Sequence, residues 1–397
     1  MTEPKPIVIK RWIWEAGAIA IGALTLFIVL RRLDEANGLL LSSGQPLFGD
    51  FLAFWTGGRH ALLGQLTSLY NEPANHLLQA QAIPNIDLIV PFYSPPIFLL
   101  MMAPIAALNY LPAAILFLII SFSVYAAAAW RLAPDKRALL FAATLPVAIL
   151  HLATLQADIL FVGLTGLAVS FLDRKPITAG AFVALLAIKP HLAILWPLML
   201  AVQGRWRAFG AACGALAALI AITLAIFGPQ VFVDFLTNLP TAQSAIDRGR
   251  VGAHAVASLY GTLLLGGAPK AIAIAAHGAS ALAAIGACIL IWRRGNTVVS
   301  AAALCAATTL ISPYMFFYDM PLLGLAALLL AGAGASATLS GQFTLAIAWA
   351  AGLITILLNA FVPAPICPLA SWLLIACAYK LAQPAPARVA EVLAPSV

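Results

Sequence analysis

Residues 13–30 read IWEAGAIAIGALTLFIVL, an apolar run that begins after Lys10 and Arg11 and ends at Arg31 and Arg32. A run of about 20 apolar residues is the length of helix that crosses the hydrocarbon core of a bilayer. Such runs recur along the 397 residues, of which 63% are hydrophobic and 9% are charged. The sequence therefore predicts an all-α, polytopic membrane protein.

The first run could be a secretory signal or a membrane span. No small-x-small cleavage site follows it, and Arg31 and Arg32 close it, so we expect an uncleaved span. The net charge of +7 could indicate nucleic-acid binding, but the sequence contains no basic-aromatic patch that supports it. Basic residues in membrane proteins usually mark cytoplasmic loops and contacts with anionic lipids. The five cysteines lack metal-type spacing and are expected to be small buried apolar residues.

Basic linkers predict the sidedness of the spans, because Lys and Arg near span ends stay preferentially in the cytoplasm. The basic groups are Lys5/Lys10/Arg11, Arg131/Lys136/Arg137, Arg174/Lys175, Arg205/Arg207, Arg293/Arg294 and Lys380/Arg388. Placing all of them on one side requires about 12 spans, with both termini inside. The predicted spans are residues 13–30, 112–130, 138–150, 158–171, 177–188, 191–202, 208–227, 270–291, 297–311, 320–333, 343–358 and 367–382.

One apolar stretch, residues 96–108, is too short for this scheme, and counting it as a crossing would reverse every later loop. A run of about 10–14 residues is more often re-entrant or interfacial. We therefore predict a juxtamembrane or re-entrant helix on the outer side. The domain prediction is a single transmembrane domain over residues 1–383, with a first extracytoplasmic loop at 31–95, the short helix at 96–110, a second large loop at 228–269, and a disordered cytoplasmic tail at 384–397.

Polar residues gather on the predicted outer face, whereas the cytoplasmic linkers are short and basic. The outer set includes Asp50, Arg59, His60, His151, Gln156, Asp158, Lys189, His191, Arg248, Arg250, His254, Ser258, Tyr314, Tyr318 and Asp319. A chain that contains few charged residues places many of them here. The sequence therefore predicts that any chemistry takes place at the outer interface.

A series of motifs in this sequence, taken in order, resembles glycosyltransferase family 87. The motifs are Asp50-Phe51-x-x-Phe54-Trp55-x-x-Gly58, Gly64, Leu69-Tyr70, Tyr93-x-Pro95-Pro96, Ala103-Pro104, Leu111-Pro112, Gln156, Ala179-Gly180, Lys189-Pro190, Arg205-Trp206-Arg207, Phe227-Gly228, Phe235, Pro313-Tyr314 and Tyr318-Asp319. Together they cover residues 50–330 or so, and the resemblance departs at Leu155, where the family pattern has Gly before the Gln. The resemblance implies the GT-C superfamily of membrane glycosyltransferases.

The resemblance also implies the reaction. It is transfer of a hexose, mannose in the first place, from a polyprenyl-phosphate sugar to a lipid or glycan acceptor, by a single inverting displacement at the periplasmic face of a bacterial inner membrane. The implied partners are this donor, this acceptor and membrane lipids; no nucleic acid, cofactor or metal is expected. A lipid or solute transporter or flippase is the alternative, although its site is expected near the membrane midplane. A non-catalytic scaffold would leave the outward polar residues unexplained.

Asp50 has two interpretations that the sequence leaves open. Asp is a preferred helix N-cap, and the apolar residues that follow it have helical spacing. The resemblance implies instead the catalytic Asp of the first extracytoplasmic loop, a general base that takes the proton of the acceptor hydroxyl. A capping position would also hold a carboxylate at the membrane surface, so the two interpretations are compatible.

The departing polyprenyl phosphate requires cations or hydrogen-bond donors. Lys189 is the first candidate, because a lysine in an apolar stretch is costly, and its alternative is a snorkelling residue beside Pro190. Further phosphate candidates are His191, Arg248, Arg250 and His254. Arg59, Tyr93 and Gln156 are candidates for lining the substrate site; Tyr314, Tyr318 and Asp319 either line it too or anchor a span.

Overall fold

The computed structural model describes residues 8–243 and 255–383, and within these ranges the chain is helical and contains no β-strand. The helices of the first half are α1 (Arg11–Asp34), α2 (Phe51–Leu62), α3 (Glu72–Ala82), α4 (Leu99–Ala106), α5 (Tyr110–Leu132), α6 (Ala138–Ala143), α7 (Pro146–Thr154), α8 (Asp158–Phe171), α9 (Pro176–Leu185) and α10 (Pro190–Ala193). Those of the second half are α11 (Trp196–Val202), α12 (Trp206–Phe227), α13 (Gln230–Gln243), α14 (Leu259–Leu265), α15 (Lys270–Arg294), α16 (Thr297–Ile311), α17 (Pro321–Gly332), α18 (Leu339–Asn359) and α19 (Ile366–Leu381).

Helices α1, α5, α12, α15 and α18 are long and apolar enough to cross a membrane. Shorter apolar helices lie between them, and the all-α, multi-pass prediction is confirmed to this extent. The number of about 12 spans is not confirmed, because only five helices in the described ranges reach the length of a full crossing.

Prolines divide several of the predicted spans. The predicted span 138–150 is two helices, α6 and α7, with Pro146 at the first position of α7. Pro lacks the backbone N–H that would continue the preceding helix, so a helix tends to end just before it. Pro190 separates α9 from α10 in the same way. These breaks bring irregular backbone and polar side chains close to the ends of the bundle.

The helices differ in how much of their surface the protein covers. Helices α8 and α16 are buried on almost every side, whereas only 6% of the most apolar part of α12 is buried. A helix that is apolar on every side and not covered by protein requires an apolar solvent. Helices α8 and α16 therefore form the centre of the protein, and α12 presents its surface to lipid.

The first predicted loop folds as a compact layer. Helix α2 packs on α4 so closely that a Cβ added to Gly58 would lie 2.5 Å from the carbonyl oxygen of Met102. Trp55 donates a hydrogen bond to the carbonyl of Leu108, 3.0 Å away. At a rise of about 1.5 Å per residue, the eight-residue helix α4 is too short to cross a bilayer. Its juxtamembrane or re-entrant position remains a prediction, and the predicted tail at 384–397 lies outside the described residues.

Candidate active site

Two neighbouring elements hold the backbone around Asp50. The hydroxyl of Tyr110, at the start of α5, donates hydrogen bonds to the carbonyls of Leu47 and Phe48, at 2.5 and 3.2 Å. The N–H of Asp50 donates to the carbonyl of Thr154 at the end of α7, at 3.0 Å. Asp50 is therefore tied to the start of α5 and to the end of α7, two segments distant in sequence.

The carboxylate of Asp50 does not cap helix α2. Asp50 occupies the N-cap position, but its backbone is already helical, with φ −73° and ψ −24°, and its side chain makes no capping hydrogen bond. The side chain instead takes part in a hydrogen bond with Gln156. The capping interpretation of the sequence is therefore wrong, and the carboxylate faces a group on another segment.

Burial and the neighbouring groups together determine the proton affinity of Asp50. Burial has the largest effect and raises the pKa of Asp50 from 3.8 to about 6. The hydrogen bond with Gln156 and the charge of Lys189 lower this pKa, whereas the charge of Asp319 raises it. The residue keeps part of its surface accessible. A carboxyl group with this pKa is ionised at neutral pH and is a stronger base than an ordinary aspartate.

The turn that carries Gln156 has an unusual backbone. Leu155, at the C-cap of α7, has φ 49° and ψ 47°, the left-handed conformation in which glycine is favoured. This is the position at which the sequence departs from the family pattern. Leu155 is fully buried, so apolar packing compensates for the backbone strain. The left-handed turn is kept without glycine, and Gln156 follows it directly.

Lys189 lies between two buried carboxylates. Its ammonium contacts Oδ1 of Asp158 and lies 3.0 Å from Oδ1 of Asp319. Both carboxylates are 1% exposed, and Oδ2 of Asp319 accepts a hydrogen bond from the N–H of Phe316 at 3.0 Å. The sequence left open a snorkelling lysine; instead, Lys189 joins three segments of the bundle, the starts of α8 and α10 and the turn before α17.

Aromatic and imidazole groups surround this ion-pair cluster. The Lys189 ammonium lies 5.2 Å from the centre of the Tyr318 ring, a distance at which a cation and a π face attract. His191 is within electrostatic reach of Lys189 and Asp319. His151 is buried, and neither of its ring nitrogens bonds a group within the described ranges. The site thus offers further polar groups beside the charged ones.

Three of the remaining predicted site residues have contacts of their own, and three more lie outside the described residues. The guanidinium carbon of Arg59 lies 5.7 Å from the centre of the Trp55 ring. Arg59 follows Asp50 by nine residues along α2, which is about 13 Å at the helical rise. The Tyr93 hydroxyl lies 3.4 Å from Glu72, and Tyr314 packs edge-on against Tyr260. Arg248, Arg250 and His254 lie outside the described residues.

Asp158 lies in the ion-pair cluster, although the sequence does not predict it as a catalytic, phosphate-binding or substrate-lining residue. It begins helix α8, in which every other residue is uncharged, and its Oδ2 accepts no hydrogen bond from a described group. The rule that singled out Lys189, that a charge in an apolar stretch is costly, applies equally to Asp158. In the described ranges, no group of three or more His, Cys, Asp or Glu residues suits a metal ion; the metal-free reaction stays a prediction.

The comparisons with known proteins agree with the resemblance read from the motifs. No curated protein sequence and no solved structure matches the chain. The sequence profile of glycosyltransferase family 87 matches residues 92–313, which include Gln156, Asp158 and Lys189 but neither Asp50 nor Asp319. Because this match extends over more than half of the 397 residues, the chain belongs to glycosyltransferase family 87 and is a membrane glycosyltransferase.

Proposed function

We propose that this enzyme transfers a hexose, mannose in the first place, from a polyprenyl-phosphate sugar to a hydroxyl group of a lipid or glycan at the periplasmic face of the bacterial inner membrane. The observation that carries the proposal is the Asp50 carboxylate, which bonds Gln156 and lies within electrostatic reach of Lys189. Glycosyl transfer from a lipid phosphate requires a base for the acceptor and a cation for the leaving group. The choice of sugar and donor rests on the family resemblance.

In the proposed reaction, a carboxylate oxygen of Asp50 takes the proton of the acceptor hydroxyl. The acceptor oxygen then forms a bond to the anomeric carbon from the side opposite the phosphate. The bond between this carbon and the phosphate oxygen breaks, and its electron pair leaves with polyprenyl phosphate. A single displacement of this kind inverts the configuration of the anomeric carbon.

Lys189 has a specific role in this scheme. Its ammonium is paired in the resting site with Asp158 and Asp319, so the donor phosphate competes with two carboxylates for the ammonium. The ion pairs hold the ammonium in a fixed position before the donor arrives, which is the preorganisation that stabilises developing charge. His151 and His191 are additional candidates for contact with the phosphate oxygens.

The proposal is tested with purified enzyme in nanodiscs. Polyprenyl-phosphate mannose and polyprenyl-phosphate glucose are offered separately with a membrane lipid extract, and products are identified by mass spectrometry. We expect an acceptor heavier by one hexose residue, polyprenyl phosphate in equal amount, and inverted anomeric configuration by NMR.

Three other outcomes would contradict the proposal. A donor that crosses the membrane without losing its sugar would indicate a flippase. Retained configuration would exclude the single displacement. Full activity with a nucleotide sugar and none with either lipid donor would exclude the donor class.

A further inference from the structure

A cavity of about 610 Å³ lies between helices α1, α5, α6, α17 and α18, away from the candidate active site. Its polar lining residues are Arg11, Asp135, Ser336 and Gln342, which belong to one end of the bundle. The rest of the lining is mainly alanine, glycine and leucine, with aromatic side chains such as Trp14 and Trp349. The cavity therefore has a polar mouth and an apolar interior.

The cavity occupies the half of the bundle that is distant from Asp50. On α5 it is lined by Tyr125 and residues that follow it, whereas Tyr110, at the other end of this helix, holds the loop before Asp50. Its mouth lies at Arg11, the first residue of α1. On the predicted topology, this mouth opens at the cytoplasmic surface of the membrane.

The inner end of the cavity is lined by Leu145, Val162 and Gly324. Val162 lines it and follows Asp158 by four residues, about one helical turn. A Cβ added to Gly324 would lie 2.7 Å from a Leu145 side-chain carbon, so α17 and Leu145 are in close contact.

Water does not suit the interior of the cavity. A buried water molecule needs about 2–4 polar partners, and the inner lining offers hardly any. The volume is roughly four times that of an engineered apolar cavity of about 150 Å³ that takes up benzene. Because helices α1, α5 and α18 are themselves candidate spans, the hydrocarbon chains of bilayer lipids are the apolar material beside the cavity.

The charges around the mouth favour an anionic group. Arg11 donates to both Asp135 oxygens and to Glu15. Three exposed cations lie next to these residues in the chain, namely Lys10, Lys136 and Arg137. The six residues together carry four positive and two negative charges, a net charge of +2. A phosphate at the membrane surface is the anion that a lipid would bring to this position.

We propose that the cavity binds one acyl chain of a membrane phospholipid, whose phosphate lies at the basic mouth. The bound lipid would fill the space between α1, α17 and α18, and it would be separate from the sugar donor. This inference does not depend on the donor or acceptor of the glycosyl transfer.

The variant that tests the site is Gly17→Trp. Gly17 lines the cavity, and a Cβ added there meets no atom within 4 Å, so the indole can enter the cavity without a backbone clash. The matched control is Gly214→Trp on α12, where an added Cβ also meets no atom and which does not line the cavity. Phospholipid that stays with the purified protein is counted by native mass spectrometry after detergent exchange.

We expect one retained phospholipid in the wild type and in Gly214→Trp, and at least a tenfold lower occupancy in Gly17→Trp. A phospholipid with a photoreactive group in its acyl chain gives a second measurement on the wild type, with labels expected on peptides that contain Gly17 and Trp349. Equal lipid in all three proteins, or labels confined to outward helix faces, would refute the site. Displacement of the phospholipid by polyprenyl phosphate would show that the occupant is the donor chain instead.

Discussion

The ammonium of Lys189 lies 3.0 Å from Oδ1 of Asp319, and on its other side it contacts Asp158. One cation therefore faces two buried carboxylates that come from different parts of the chain. Removing one partner of a buried ion pair leaves an uncompensated charge, which typically costs about 3–5 kcal/mol. Lys189 is thus expected to contribute to the stability of the bundle as well as to donor binding.

The first prediction concerns this ion-pair cluster. Lys189→Met should lower the melting temperature and weaken donor binding, because Asp158 and Asp319 would then face each other without a cation. Lys189→Arg should keep the charge and recover part of both properties, since the guanidinium has a different shape. Thermal unfolding and donor affinity are measured for each variant in the same nanodiscs.

The double variant Lys189→Met/Asp158→Asn separates the two roles. Removing a carboxylate together with the ammonium should restore part of the melting temperature while donor binding stays weak. If Lys189→Met unfolds and binds donor like the wild type, the ion pairs contribute neither to stability nor to binding.

The second prediction concerns the base. Asp50→Asn preserves the size of the side chain but cannot accept the proton, so transfer should fall by about 10²- to 10⁴-fold. Donor affinity should change little, and the variant should still fold, because the Asp50 side chain caps no helix. Asp87→Asn, an exposed residue of the same loop, is the control and should transfer at the wild-type rate. Near-native turnover of Asp50→Asn would exclude its role as base.

The third prediction concerns pH. The pKa of Asp50 is raised to about 6, so the transfer rate should increase as pH rises through about 6 and should level off above it. Stability should change in the opposite direction. Between the ordinary pKa of 3.8 and about 6, the folded protein binds more protons at this site than the unfolded chain, so the free energy of unfolding falls as pH rises. Comparison with Asp50→Asn isolates this contribution to both profiles.

Much of this architecture could be read from the sequence, because apolar runs and basic linkers reflect the bilayer directly. The predicted span 158–171 coincides with α8, and the predicted span 297–311 with α16. The helix break within residues 138–150 is not predicted, because the apolar character of the sequence continues across it. Run length alone does not distinguish a full crossing from two packed half-helices.

The sequence also indicates several residues of the candidate active site, but it does not indicate which of them pair with one another. Asp50, Gln156, Lys189 and Asp319 were candidates because of their positions on the predicted outer face and in the motifs. That Lys189 is shared by Asp158 and Asp319 depends on long-range packing of α8, α10 and the turn before α17, which local patterns do not contain. The ion pair of Asp158 with Lys189 is therefore not predicted from the sequence.

The fourth prediction concerns the positioning of Asp50. Tyr110→Phe removes the hydroxyl that bonds the carbonyls of Leu47 and Phe48, so the loop before Asp50 should lose its fixed geometry. We expect a lower kcat with little change in KM for the donor, because a general base must be placed accurately in the transition state. Tyr125→Phe is the control from the same helix; its hydroxyl bonds the carbonyl of Ala142 instead. Equal losses of kcat in both variants would indicate a general effect on α5.

The last prediction tests on which side of the membrane the candidate active site lies. Asp87 is exposed in the predicted first extracytoplasmic loop, and Lys136 is exposed in the basic linker between α5 and α6. The exposed Cys213 is first replaced by serine, because it would otherwise react with the probe and obscure the result. In this background, Asp87→Cys should react with a membrane-impermeant thiol reagent added to intact spheroplasts, whereas Lys136→Cys should react only after lysis. Both cysteines should react to the same extent in detergent, which controls for local accessibility. Labelling of Lys136→Cys from outside would invert the topology, and it would place the Asp50 cluster on the cytoplasmic side, where nucleotide sugars rather than periplasmic lipid donors would have to be considered.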